Sequence, residues 1–133
     1  MNEIFVKNIK EKFTNQFTIE TDEEGEFIKF FAKNTDFGDV IIYQESFNKY
    51  IIVLGKFTHT HFDIEGTPND ETIKKTVINM IHFLEELFTD HIVCFGSHES
   101  SGGYAELSEI EDLCNKKDEL FVWSGKYKKF QNN

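Results

Sequence analysis

Proline and tryptophan occur once each in these 133 residues, and cysteine and methionine twice each. Two cysteines are too few for a disulfide framework. Cys94 lies in the apolar run Ile92–Phe95, so Cys94 and Cys114 read as buried free thiols in a reducing compartment. No apolar run approaches the roughly 18 residues of a membrane span. The opening MNEIFVKNIKEKF mixes charges and has no apolar signal core. The expectation is a cytoplasmic chain without a transmembrane helix. Positive charge is also scarce, with 14 Lys and Arg against 24 Asp and Glu, a net charge of −10 with His neutral. Such a surface repels phosphate backbones and anionic membranes, which argues against nucleic acid and membrane as partners. It suits a basic protein partner, because opposite potentials speed encounter. No serine stands in a Gly-x-Ser-x-Gly elbow, and no Gly-rich loop ends in Gly-Lys-Ser or Gly-Lys-Thr. No catalytic residue and no cofactor is assigned.

Aromatic residues are plentiful, at 15%, with 15 phenylalanines, and apolar residues make up 39%. A chain of this length buries roughly two-thirds of its unfolded surface, enough for one core. The expectation is one domain over residues 1–133, with a frayed polar tail at 126–133.

Phe5, Ile9 and Phe13 recur at helical spacing, with Asn2 as an N-cap, predicting a helix over residues 2–13. The period then changes to two. Phe17 and Ile19 lead to a turn at Asp22–Gly25 and a strand over Phe27–Lys33, with Ile28, Phe30 and Ala32 on one face. Val40–Tyr43 and Tyr50–Leu54 form a second pair, so four strands make an antiparallel meander. Ile73, Val77, Met80, Ile81, Leu84, Leu87 and Phe88 form the stripe of a long helix. Thr67 is its expected cap, with Pro68 at the first helical position and Asp70 completing a capping-box spacing. Ile92–Phe95 is a strand, Ser97–Gly103 a loop, and Tyr104–Leu107 a short strand that pairs back. A short helix opens at the Ser108–Glu111 capping-box spacing and runs to Cys114, and Leu120–Trp123 is the last strand. The fold class is α+β. A mainly antiparallel sheet of five to seven strands is covered on one face by the long helix and shorter helices.

Two segments are candidate contact surfaces. Glu20, Asp22, Glu23, Glu24 and Glu26 crowd the first hairpin tip with no base among them. In Thr58–Asp63, side chains alternate along an extended chain, so His59, His61 and Asp63 point the same way, with Glu65 just beyond. Two imidazoles and a carboxylate are also a plausible zinc corner. The spacing resembles the first part of the metallo-β-lactamase motif, His-x-His-x-Asp-His, and departs from it at Ile64. This sets up an alternative: a small metal-dependent hydrolase using His59, His61 and Asp63, with His98, and after it Glu65, as the further candidate ligand. A third reading is a homo-oligomeric structural module. Trp123 is expected in the core and Tyr127 on the surface, and Cys94 is expected to be an inert thiol.

Thr58–Asp63 after a strand, the long helix from Asp70 to Asp90, and the closing Phe121–Gly125 together resemble bacterial toxin-immunity-type proteins, over about half the length. The resemblance implies a compact acidic α+β domain that binds a cognate toxin in the cytoplasm. It would block the toxin's active site or a neighbouring surface without catalysis. Many such toxins are basic nucleases, so a basic toxin domain is the implied partner.

Overall fold

The computed structural model describes residues 1–109 and 119–127. The expected helix from Ser108 to Cys114 and the tail beyond Tyr127 lie outside the described residues, apart from a 3-10 turn at Leu107–Glu109. Among the described residues there are two α-helices and two antiparallel sheets, of five and four strands. The single sheet of five to seven strands is thus corrected to two.

The first helix, α1 (Glu3–Lys12), starts where Asn2 Oδ1 accepts from the N–H groups of Ile4 and Phe5, at 2.8 and 3.4 Å. Those two donors would otherwise have no partner inside the helix. Phe5 and Ile9 are its buried stripe. The meander follows as β1 (Thr18–Asp22), β2 (Gly25–Phe30), β3 (Val40–Ser46), β4 (Lys49–Leu54) and β5 (Thr58–Asp63), paired in chain order. Gly25 closes the first hairpin at φ +126°, a backbone conformation that L side chains rarely adopt. Strand β2 stops at Phe30, three residues earlier than the alternation implied. Beyond it the Ala32 N–H turns to the Asp39 carboxylate at 2.7 Å instead of a neighbouring strand. The meander has five strands before the long helix, because Thr58–Asp63 pairs with β4 along its whole length.

The long helix, α2 (Asp70–Phe88), is capped by Asn69 and not by Thr67. Asn69 Oδ1 accepts from the Thr72 N–H at 3.0 Å, and Thr72 Oγ1 accepts from the Asn69 N–H at 2.9 Å. This reciprocal pair leaves Pro68 outside the helix. Ile73, Val77, Met80, Ile81, Leu84 and Leu87 are buried along α2, as their spacing predicts. They share one apolar cluster with Phe5 and Ile9 of α1, with Ile28, Ile42, Tyr50, Ile52 and Leu54 of the first sheet, and with Ile92 and Cys94. Truncating one such residue, Leu84→Ala, is expected to remove about 2–5 kcal/mol. Domains are typically stable by only about 5–15 kcal/mol, so α2 is integral to the fold.

The second sheet has the order β7-β6-β8-β9, from β6 (Ile92–Ser97), β7 (Ser100–Glu106), β8 (Leu120–Val122) and β9 (Gly125–Lys126). The expected loop Ser97–Gly103 shrinks to the turn His98–Glu99, because β7 already begins at Ser100. Its two glycines are strand residues. A Cβ at Gly102 would strike the carbonyl oxygens of Phe57 and Ser97, so glycine is what lets β7 lie against the end of the first sheet. Lys126 is paired with Phe121, and the Tyr127 N–H donates to the Leu120 carbonyl at 2.8 Å. These contacts tie the first two residues of the expected tail, Lys126 and Tyr127, to β8.

A series of aromatic contacts links the layers. Phe13 and Phe88 both contact Phe30, at 5.5 and 4.9 Å between ring centroids. Phe88 contacts Trp123 at 4.9 Å, Trp123 contacts Phe37 at 5.7 Å, and Phe37 contacts Phe57 at 5.3 Å. The abundance of phenylalanine in the sequence is thus spent on joining α1, α2 and both sheets.

Candidate interaction face

Residues directly opposite in an antiparallel pair share a face. On the first sheet, Ile28, Val40, Ile42, Ile52 and Leu54 enter the core. The alternate positions form the outward face. One cross-strand row on it runs Glu20, Phe27, Tyr43, Ile51, His61, and the next runs Thr18, Lys29, Ile41, Val53, His59. Glu20 and Asp22 of the acidic tip and the histidine segment, far apart in sequence, thus look out from one side, while Glu26 falls at the alternate positions with Ile28. The tip and the histidine segment occupy opposite edges, about 19 Å apart at the usual strand spacing.

At the β1 edge, Asp22 Oδ1 accepts from the Glu24 N–H at 2.8 Å, which fixes the turn. Glu20 accepts from the Thr18 hydroxyl at 2.8 Å, and Glu26 lies 3.3 Å from the amino group of Met1. Among the described residues no lysine pairs with Glu20, Asp22, Glu23 or Glu24. Their negative field is therefore not cancelled locally. Lys29 of the second row and Lys49 at the start of β4 each have an acidic neighbour. Lys29 lies 3.7 Å from Asp39 and 5.0 Å above the Phe31 ring, and Lys49 lies 3.7 Å from Glu45.

At the β5 edge, His59, His61 and Asp63 are exposed together, as alternation predicts. His98, in the turn between β6 and β7, joins them. The His59 ring lies 5.0 Å from His61 and stacks on His98 at 6.0 Å. Among the described residues no three His, Cys, Asp or Glu side chains are grouped to hold a metal ion. The His59 and His98 rings lie nearly parallel, at 17°. Glu65 is exposed beyond Ile64, whose N–H donates to the Asn48 carbonyl at 2.8 Å.

Between the edges lie residues that alternation alone did not single out: Phe27, Ile41, Tyr43, Ile51 and Val53. Ile51 is only 3% exposed, yet it stands outside both apolar clusters, so its covering comes from the outward face itself. A signal for this face exists in the sequence. Ile41–Tyr43 and Ile51–Leu54 are continuous apolar runs, and a strand with one wet face would alternate. An open depression of ≈ 260 Å³ lies at the β1–β3 side of this face. Phe27, Ile41, Tyr43 and Val53 line it, together with Asp22, Glu24 and Glu26 of the hairpin end.

Other singled-out residues have structural places. Cys94 is fully buried and free, and burial raises its thiol from 9.0 to about 12, so it is not a nucleophile at neutral pH. Trp123 is buried in the main core. Tyr127 is half-buried against the small cluster of Val93, Ala105 and Val122, a correction to its expected exposure. His82 is exposed on α2, and His91 Nδ1 lies 2.8 Å from the Thr89 hydroxyl at the helix end.

No helix among the described residues is long and apolar enough to cross a membrane. No protein-family model, curated protein or solved structure matches this chain.

Proposed function

We propose that this chain is a non-enzymatic acidic binding protein of the toxin-immunity type. It acts in the cytoplasm and neutralises a basic toxin domain by covering it. The observation that carries this reading is the outward sheet face, where carboxylates that no lysine pairs with among the described residues border an apolar surface outside the core clusters. Among the described residues α1 and α2 share their apolar cluster with the sheet's inner residues, and we read the opposite face as the partner's. A net charge of −10 favours encounter with a basic surface and disfavours nucleic acid and anionic membranes.

The direct test is co-expression with the product of the neighbouring upstream gene. A stoichiometric complex that abolishes that product's toxicity supports the reading. Toxicity unaffected by this chain, with no complex, removes it. Substitutions at Tyr43 and Asp22 then separate occlusion by this face from binding elsewhere.

A further inference from the structure

We infer that the depression on the outward face of β2, β3 and β4 is a docking site for an arginine side chain presented by the basic protein partner. The inference rests on the binding reading above and specifies its chemistry.

Size comes first. At ≈ 260 Å³ the depression falls below the roughly 300–1,000 Å³ typical of small-molecule pockets. It has room for one long side chain. Its floor is Phe27, Ile41, Tyr43 and Val53, none of which belongs to either apolar cluster. Its rim carries Asp22 and Glu24.

An apolar floor beside carboxylates matches a side chain that is apolar along its stem and cationic at its tip. Lysine and arginine both meet that description. Arginine fits better here, because its planar, weakly hydrated head stacks on aromatic faces, and two aromatic rings line the floor. The same head offers forked donors to the rim carboxylates. Among the described residues no lysine lines the depression, and Lys29 and Lys49 lie 3.7 Å from Asp39 and Glu45. A second copy of this chain is a poor occupant, because its outward face would bring the same acidic rim.

The test is a nuclear magnetic resonance titration of the full chain with a hexaarginine peptide, with hexalysine and hexaglutamate as comparisons. Amide shifts concentrated at Phe27, Ile41, Tyr43 and Val53, with hexaarginine binding at least several-fold more tightly than hexalysine, support the inference. Tyr43→Ser and the pair Asp22→Lys, Glu24→Lys should each weaken binding by about tenfold or more. Glu109→Lys, on the turn after β7, should leave it unchanged. Retained amide dispersion in every variant shows that the fold is intact. Equal binding of the two cationic peptides, or shifts centred elsewhere, overturns the inference. Concentration-dependent shifts on this face without peptide overturn it in favour of self-association. These outcomes are separate from the co-expression result: a neutralising complex that tolerates Tyr43→Ser and the rim reversals leaves the function standing and removes the site.

Discussion

Asp90 accepts two hydrogen bonds from Ser124, from its backbone N–H at 3.1 Å and its hydroxyl at 2.5 Å. Asp90 follows α2 in the left-handed region, at φ 64°, and Ser124 sits in the turn between β8 and β9. The pair fastens the end of the long helix to the second sheet beside Trp123. Asp90→Ala loses both bonds and keeps the strained backbone, so it is expected to destabilise by about 1–3 kcal/mol. Asp90→Gly loses the bonds but relieves the strain, and should unfold at a higher urea midpoint than Asp90→Ala. Identical midpoints for Asp90→Ala and the parent would contradict this.

Tyr50 is packed on Phe5 at 4.8 Å between centroids, and among the described residues its buried hydroxyl has no hydrogen-bond partner. Removing an unpaired buried hydroxyl relieves its desolvation cost. Tyr50→Phe is therefore expected to be neutral or stabilising by about 1 kcal/mol in chemical denaturation. Burial also raises the Tyr50 hydroxyl from 10.0 to about 12 and the Cys94 thiol from 9.0 to about 12. Both groups ionise more readily in the unfolded chain. Their contribution is intact below pH 9 and is lost as pH rises from there towards 12, at up to about 1.4 kcal/mol per pH unit for each group. Tyr50→Phe should flatten the fall above pH 10, and an unchanged slope would count against the burial account.

Gly102→Ala places a methyl against the carbonyls of Phe57 and Ser97. Both obstacles are backbone, Phe57 beside the first sheet and Ser97 on the paired strand β6, so relief requires β7 to shift away from both. A loss of about 1–3 kcal/mol in thermal or urea unfolding is expected. Full stability would mean that β7 does not approach Phe57 as closely as described.

The imidazole trio at His59, His61 and His98 is expected to be a surface feature and not a metal centre. Elemental analysis of protein purified without an affinity tag should find no stoichiometric metal. His61→Ala should change stability by no more than about 0.5 kcal/mol. A stoichiometric metal that disappears with His61→Ala would restore the hydrolase alternative.

Much of the fold was legible from periodicity. The α2 stripe, the α1 cap at Asn2 and the first hairpin all follow from local spacing and turn chemistry. Three features were not. The cap of α2 moved from Thr67 to Asn69, since several capping residues stand in line and only side-chain geometry chooses among them. Gly102 and Gly103 suggested a loop because glycine marks both loops and close backbone contacts, and only the neighbouring sheet distinguishes the two. The division into two sheets depends on partners distant in sequence, such as Cys94 with Phe121. Of the candidate site, the acidic tip and the common direction of His59, His61 and Asp63 were readable. Their placement on one face needed the register through β2, β3 and β4.

The central claim, that this acidic face captures a basic protein, is tested most directly by the association rate with the upstream gene product, measured by stopped flow across ionic strength. Steering by its carboxylates predicts a rate that falls steeply as salt rises, with Glu20→Lys and Asp22→Lys slowing association and flattening the dependence. A rate indifferent to salt and to both substitutions would contradict it.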